Sequence, residues 1–163
     1  MKGSRRGGGE DEVLEELSFD TPAGRLTVAA REGAIVRLRW GGEGSARAEL
    51  LERAAAQLRE YFSGARREFD LPMRVEAGAF QRAVCARMAA IPFGETVTYG
   101  EIARELGAPA QAVGQACGGN PLPVLIPCHR VLGASGLGGY SGGGGIETKV
   151  WLLRHEGAGG LLI

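Results

Sequence analysis

The sequence predicts an α+β fold of two lobes, in which a strand-rich N-terminal lobe closed by one helix precedes a mostly helical C-terminal lobe. Apolar and polar side chains alternate between residues 17 and 40, as they do in half-buried strands. Apolar residues instead recur at helical spacing within 51–62 and 80–117. Residues 66–77 show no clear period and contain Pro72, so we interpret them as the connection between the lobes.

The predicted N-terminal lobe begins with an antiparallel meander of strands. Leu26 and Val28 alternate with polar neighbours, and Leu38 is flanked by two arginines. Turn-forming residues at 22–24 and 32–33 separate the strands. The first lobe therefore starts as a small sheet.

One helix is expected to close this sheet. Ser45 is suitably placed to cap the helix, and apolar residues at helical spacing continue from Leu51 to Phe62. Gly64 lies just beyond the expected end.

Composition excludes several classes of protein. Hydrophobic residues make up 44% of the 163 residues, so a core can form, whereas the polar, Gly-rich residues 1–12 predict a disordered tail. The lobes are then expected at 13–75 and 76–163. Lysine plus arginine and aspartate plus glutamate both total 19, so no global basic field indicates nucleic acid binding. Three cysteines without CxxC spacing argue against a disulfide framework or a zinc module. No membrane span or signal peptide is recognisable, which favours the cytoplasm.

Two short helices joined by a tight turn are predicted in the C-terminal domain. Thr98 and Glu101 match a capping box, Gly107 ends the first helix, and Pro109 opens a second helix that reaches about Cys117. This pair is a candidate helix-turn-helix. Helix pairs of this shape are also common in proteins that bind no nucleic acid, so the indication is weak by itself.

Reactive side chains are concentrated at Cys128, His129 and Arg130, between two apolar runs. Burial disfavours the nucleophilic thiolate unless a base or a positive charge is close, and His129 and Arg130 can supply these. An equally good interpretation from these residues alone is structural, with a small buried cysteine, a hydrogen-bonded core histidine and an ion-paired strand arginine. Adjacent residues of an extended chain face opposite sides, so Cys128 and His129 can interact directly only if the backbone turns there, unless a water bridges them.

Several separated motifs surround this centre. They are PCHRV at 127–131, NP at 120–121, GYSGG at 139–143, WLLRHEG at 151–157, IPFGET at 91–96 and TYGEIA at 98–103. In this order they closely resemble the O6-alkylguanine-DNA alkyltransferase family, the methylated-DNA–protein-cysteine methyltransferases. The resemblance covers residues 79–157, and the N-terminal lobe matches only loosely, at TPAGRL in 21–26. It implies a small RNase H-like N-terminal lobe of sheet and helix, followed by a mostly helical C-terminal lobe that carries the helix-turn-helix and the active site.

The resemblance implies repair of alkylated DNA by one irreversible transfer. The Cys128 thiolate would displace guanine from the alkyl carbon of O6-alkylguanine, with O4-alkylthymine left open as a second substrate. One protein molecule would repair one lesion and keep an S-alkylcysteine. The implied partner is double-stranded DNA containing alkylated guanine, bound through the minor groove by a monomer that needs no metal or organic cofactor.

The resemblance also implies a role for individual residues. His129 would act through a water as the base for Cys128, Glu156 would orient His129, Tyr99 would donate a proton toward the guanine, and Asn120 would brace the turn that bears the cysteine. The residues expected to contact the substrate are Val131, Tyr140, Ser141, Lys149 and Arg130.

The main departure from the family pattern concerns the DNA contact. The helix-turn-helix would present Thr98, Ala110, Gln111, Ala112 and Gly114 to DNA, and Gln111 stands where the family has an intercalating arginine. The turn before Gln111 is also shorter than the pattern. Glutamine can hydrogen-bond an orphaned cytosine but offers no charge to the backbone, so weaker duplex binding or slower base flipping is expected.

Two other functions compete with repair. A lesion sensor that binds alkylated bases without repairing them would keep the pocket and the helix-turn-helix. Cys128 argues against this function, while Gln111 and the short turn favour it. A cysteine hydrolase or thiol transferase acting on a small acyl substrate would turn over many times without DNA, and it leaves the surrounding motifs without a role.

Overall fold

The structure is a computed structural model that describes residues 13–140 and 144–158. The tail expected at 1–12 and the predicted substrate contact Ser141 lie outside the described residues. The chain divides into two compact units, with the division between Arg74 and Val75. Within the described part, none of the helices has the length and apolarity required to cross a lipid bilayer.

Three antiparallel strands form the sheet of the N-terminal unit. They are β1 (Glu15–Thr21), β2 (Gly24–Arg31) and β3 (Ala34–Trp40), with β2 in the centre. Glu32 and Gly33 turn the chain between β2 and β3 with φ angles of 50° and 78°. Both values are left-handed, as a tight two-residue hairpin requires. The predicted meander is confirmed.

Helix α1 (Glu49–Phe62) packs on this sheet and buries an apolar face that includes Leu58. The predicted cap is wrong, because the helix begins after Ala48, and Ala48 makes no side-chain capping bond. Ser45 instead forms an isolated bridge with Leu17 of β1. Pairing with the sheet holds this segment extended, so the helix starts later than Ser45 suggested.

The segment that follows α1 is partly bound to the sheet. Ile35 N donates to Pro72 O at 2.8 Å, and Arg74 N donates to Ile35 O at 3.0 Å. Met73 forms a parallel bridge with Ile35. The stretch interpreted as a connection therefore adds a short pairing to β3 before the N-terminal unit ends.

Helices dominate the C-terminal unit. Its elements are α2 (Ala79–Ala89), β4 (Val97–Thr98), α3 (Tyr99–Leu106), α4 (Ala110–Gly118), β5 (Val131–Leu132) and α5 (Ile146–Glu156). Strands β4 and β5 pair in parallel, with Thr98 opposite Leu132. This pairing brings the start of α3 next to the chain that leaves the Cys-His-Arg segment.

The predicted capping box at the start of α3 is confirmed. Thr98 Oγ1 accepts from Glu101 N at 3.1 Å, and Glu101 Oε1 accepts from Thr98 N at 2.9 Å. Gly107 ends the helix with a φ of 67°, a conformation that favours glycine. Pro109 then precedes α4, so residues 107–109 form the turn between the two predicted helices.

Candidate active site

A turn in the backbone places Cys128. The segment Cys128–Arg130 forms one turn of 3-10 helix immediately before β5. Cys128 N donates to Ile126 O at 2.8 Å, and Arg130 N donates to Pro127 O at 3.0 Å. The chain is therefore not extended at the Cys-His step, and the geometric obstacle expected for neighbours in a strand does not arise. All three side chains of the turn are buried.

Asn120 ties together the loop that approaches this turn. Its Nδ2 donates to Ile126 O at 2.8 Å, and its Oδ1 accepts from Leu122 N at 2.9 Å. Burial raises the pKa of the Cys128 thiol, whereas a hydrogen bond from Asn120 and the positive charge of Lys149 lower it. Burial is the largest effect, so the thiol needs a base to become a nucleophile.

Glu156 joins His129 and Arg130 in one buried cluster. Its Oε2 lies 2.7 Å from His129 Nε2, while Arg130 Nε and Nη2 donate to its two oxygens at 2.8 and 2.9 Å. Arg130 Nη1 also donates to Ile91 O at 2.5 Å. Burial alone would raise the pKa of Glu156, but the hydrogen bonds from His129 and Arg130 hold it well below its usual range. The carboxylate is therefore ionised and accepts from both partners.

His129 is neutral at pH 7 in the folded protein, because burial lowers its pKa below 6.5 despite the opposing hydrogen bond to Glu156. Since the Glu156 carboxylate can only accept, Nε2 carries the ring proton and Nδ1 keeps a lone pair. Nδ1 is buried and has no hydrogen-bond partner among the described residues. It is the atom of this cluster that can take up a proton.

A buried lysine fastens the glycine-rich segment that follows β5. Lys149 Nζ donates to the carbonyl oxygens of Val131, Leu137 and Gly139 at 2.7, 2.5 and 3.0 Å. Burial lowers its pKa to about 8, although the neighbouring cysteines Cys117 and Cys128 act in the opposite direction. The ammonium group is thus still mainly charged at neutral pH, and its three N–H bonds connect β5 to residues 137–139.

A pocket of about 450 Å³ lies beside Cys128. It is lined by Tyr99, Gly114, Cys117, Gly118, Cys128, Gly139 and Tyr140. Tyr99 is the first residue of α3, and the centre of its ring is 5.8 Å from Lys149 Nζ. Burial, followed by the nearby cysteines, raises the pKa of Tyr99, so its phenol keeps its proton at neutral pH.

The predicted substrate contacts fall into three groups. Tyr140 lines the pocket. Val131, Lys149 and Arg130 are buried nearby but are not among the described residues that line it. Ser141 lies outside the described residues. Arg130 instead binds the Glu156 carboxylate, and the Lys149 ammonium group donates hydrogen bonds to backbone carbonyl oxygens.

The residues predicted to contact DNA occupy α4 and the start of α3. Ala110 and Gln111 are exposed in the first turn of α4, Ala112 is half-buried, and Gly114 lines the pocket. Thr98 is the capping residue of α3. Helix α4 therefore has one face toward solvent and another toward the pocket.

Sequence analysis missed three pocket residues, Cys117, Gly118 and Gly139. A usable signal was present, because Cys117 follows Gly114 by three positions and so shares its side of the helix. Sequence analysis used Cys117 only in the cysteine count and as the approximate end of the second helix.

Comparison with known proteins identifies the family. Two models of 6-O-methylguanine DNA methyltransferase match the chain, the ribonuclease-like domain at residues 16–75 and the DNA binding domain at residues 79–158. A methylated-DNA–protein-cysteine methyltransferase from Mycolicibacterium paratuberculosis is 42% identical over 159 residues, which cover 88% of this chain and 93% of the relative. The chain belongs to the 6-O-methylguanine DNA methyltransferase family. The family resemblance seen in the sequence is confirmed.

Solved structures of this methyltransferase family have the same fold. The O6-methylguanine methyltransferase of Mycobacterium tuberculosis superposes with a TM-score of 0.79 at 39% identity, covering 89% of this chain and 93% of the other. The same organism's OGT in complex with DNA gives a TM-score of 0.78 at 41% identity, covering 88% and 92%. The predicted α+β class, with a ribonuclease-like N-terminal domain, is thereby confirmed.

Proposed function

We propose that this protein repairs DNA by transferring the alkyl group of O6-alkylguanine to its own Cys128, in one irreversible turnover. The observation that carries the proposal is a buried thiol on the same turn as His129, whose ring is bound to Glu156, beside a pocket that Cys128 lines. Family membership supports the same reaction, since the relatives are named methylated-DNA–protein-cysteine methyltransferase.

The Cys128–His129–Glu156 arrangement supplies the nucleophile. The Cys128 proton passes through a water to Nδ1 of His129, while Glu156 holds the opposite side of the ring. Arg130 donates to both oxygens of Glu156, which keeps the carboxylate ionised and holds it in place. The fixed carboxylate in turn orients the His129 ring. Arg130 is in this respect a positioning residue of the relay.

The transfer step exchanges one bond for another. The Cys128 thiolate attacks the alkyl carbon, a C–S bond forms, and the C–O6 bond breaks with its electron pair passing to guanine. Tyr99, which keeps its proton, donates a hydrogen bond or a proton to the developing charge on the base. Restored guanine and an S-alkylcysteine are the products, and the step balances without a further reactant.

The pocket receives the alkylated base. A volume of about 450 Å³ falls within the roughly 300–1,000 Å³ of small-molecule sites. Tyr140, which lines the pocket, contacts O6 of the base. The resemblance gives Ser141 and Val131 a role in binding the same base, although Ser141 lies outside the described residues. Lys149 shapes it by fixing Gly139 through the backbone.

DNA binds to the α3–α4 pair acting as a helix-turn-helix. The target atom lies inside the stacked duplex, so the nucleotide rotates into the pocket and the exposed Gln111 fills the gap. Ala110 and Ala112 are small enough for a close approach to the minor groove. The protein is proposed to act as a monomer in the cytoplasm, as expected from its sequence.

Intact mass spectrometry tests the reaction. The protein is mixed in slight excess with a duplex that contains one O6-methylguanine. We expect a gain of one methyl group per protein, absent in Cys128→Ala and retained in Cys85→Ala, which removes a buried cysteine of α2 outside the pocket lining.

Other outcomes would assign a different function. Lesion-selective binding without a mass gain contradicts the proposal and indicates a lesion sensor, which the family comparison does not favour. Repeated turnover of a small thioester without DNA would indicate a cysteine hydrolase or thiol transferase.

A further inference from the structure

A second thiol shares the pocket with Cys128. Cys117 lies on the buried side of α4 with Val113 and Ala116, and it lines the same cavity. The two cysteines are 5% and 8% exposed, respectively. The repair reaction proposed above uses only Cys128, so it leaves Cys117 without a role.

The two sulfurs influence each other electrostatically. Burial, and after it the negative charge that Cys128 can carry, raise the pKa of Cys117 to about 12, whereas Lys149 acts in the opposite direction. The Cys128 sulfur is uncharged both as the resting thiol, whose pKa burial raises, and as the thioether formed by the transfer. Cys117 therefore reacts as a thiol held in the same pocket, and no change in its pKa is required.

We propose that Cys117 is a second acceptor, which captures bifunctional alkyl groups after their transfer to Cys128. The inference rests on the proposed function, and its substrate class is an O6-(2-haloethyl)guanine. Transfer leaves a 2-haloethyl thioether on Cys128, whose sulfur expels the halide and closes a three-membered episulfonium ring. Cys117 sulfur attacks a ring carbon, the strained C–S bond opens back onto Cys128, and the Cys117 proton passes to water. The product is an ethylene bridge between the two sulfurs, with halide and one proton released.

The bridge competes with two harmful outcomes. Water would convert the episulfonium ion to a hydroxyethyl thioether, and a DNA base held in the site would form a protein–DNA cross-link. A thiol fixed in the same pocket has the advantage, because well-oriented intramolecular reactions reach effective molarities far above that of liquid water. A two-carbon bridge also accepts a wider separation of the sulfurs than a disulfide, whose S–S bond is about 2 Å long.

Cys85 provides a matched control within the chain. It is buried on α2, its sulfur lies 3.5 Å from Gln81 Nε2 and 4.0 Å from Asn120 Oδ1, and it is not among the described residues that line the pocket. A bridge that depends on the shared pocket forms with Cys117 and not with Cys85.

The experiment compares wild type, Cys117→Ser and Cys85→Ser on two duplexes. One duplex contains O6-methylguanine, and its methyl transfer reports the proposed function and an intact site in each variant. The other contains O6-(2-chloroethyl)guanine prepared immediately before use. Intact mass, denaturing gels and peptide mapping give the amount of each product as a fraction of alkylated protein. The product ratio is therefore independent of how fast each variant transfers the alkyl group to Cys128.

Wild type and Cys85→Ser are expected to give the Cys117–Cys128 bridge, at least about tenfold in excess over the hydroxyethyl and cross-linked products together. Cys117→Ser loses the bridge and accumulates those two products. The inference is overturned if wild type partitions like Cys117→Ser, or if the bridge joins Cys85. Peptide mapping locates the bridge in wild type itself, so the test does not depend on how well Cys117→Ser folds. A wild type that accepts no methyl group overturns the proposed function, and the inference with it.

Discussion

The two units bury different kinds of polar group. Among the described residues, the buried polar side chains of the N-terminal unit are the uncharged Thr27 and Gln57. In the described part of the C-terminal unit they are His129, Arg130, Lys149 and Glu156. The N-terminal unit pairs charges where water reaches them, as in the 2.7 Å contact of Arg66 with Glu60, whose side chains are 29% and 49% exposed.

The difference indicates where the chemistry lies. Removing a charge from water costs several kcal/mol, and apolar packing of the same volume often stabilises a fold equally well. A cluster such as Glu156 with His129 and Arg130 is therefore weak evidence for stability. It is better explained by the proposed proton relay, in which Glu156 and Arg130 hold His129 in a fixed orientation. Apolar burial is enough for the N-terminal unit, which carries none of the proposed catalytic residues.

Removing a buried charge should have the largest effect. Glu156→Gln leaves the Arg130 guanidinium buried without its counter-ion, so we expect a loss of about 3–5 kcal/mol in the free energy of unfolding of the C-terminal unit. Glu60→Gln is the matched control in the N-terminal unit, and an exposed pair contributes at most about 1 kcal/mol. Urea denaturation of both variants measures the difference, and equal losses would contradict the comparison.

Lys149→Met should have the second largest effect. The substitution leaves the carbonyl groups of Val131, Leu137 and Gly139 without their shared donor, which costs about 1–3 kcal/mol. The freed segment no longer fixes the pocket wall, so methyl transfer should slow by about tenfold or more. Single-turnover kinetics and limited proteolysis within 133–140 test this prediction. Arg154→Met removes an exposed cation of the same helix, and a similar effect from that variant would show that the backbone contacts of Lys149 are unimportant.

Local signals in the sequence were sufficient for much of the fold. The capping box of Thr98 and Glu101 depends on residues three apart, and the hairpin at Glu32 and Gly33 depends on neighbours, so both could be predicted. Ser45 was wrongly predicted to cap α1, because it forms a β-bridge with Leu17, which is distant in sequence. Competition from a strand that folds back cannot be recognised in a short window of sequence.

The candidate site shows the same limit. The PCHRV motif placed Cys128 and His129 on one short segment, and the resemblance paired His129 with Glu156, which it contacts. The ion pair of Arg130 with that carboxylate joins residues 26 positions apart, so no periodic pattern in the sequence indicates it. The carbonyl partners of Lys149 are main-chain atoms, which carry no signal in side-chain identity. These contacts follow from tertiary packing, and only the structure shows them.

The burial of His129 should make stability depend on pH. Its pKa is lowered from 6.5 in the folded protein, so just below pH 6.5 the unfolded chain binds more protons than the folded one. Stability is therefore lost as the pH falls from about 6.5 toward the folded pKa, with a slope that approaches about 1.4 kcal/mol per pH unit. Urea denaturation between pH 5 and 8 should show this slope in wild type. His129→Asn should lack it, whereas the control His155→Asn removes the other histidine of the chain, and superimposable pH profiles for the two variants would refute the assignment.

Substitution of Gln111 is expected to have the smallest effect on stability. It should change DNA binding and repair while leaving folding almost unchanged. Gln111→Arg changes an exposed residue at the start of α4, so the free energy of unfolding should stay within about 0.5 kcal/mol of wild type. Its new charge should raise affinity for duplex DNA by about three- to tenfold near 0.1 M salt and steepen the salt dependence by about one phosphate contact. Gln115→Arg places the same charge one turn further along the exposed side of α4 and controls for charge alone. If Gln111 sits where the flipped base leaves its gap, both variants bind more tightly but only Gln111→Arg repairs O6-methylguanine faster. Equal repair rates for the two variants would mean that residue 111 contributes charge and not insertion, and an unchanged affinity and rate would show that glutamine at this position imposes no limit on repair.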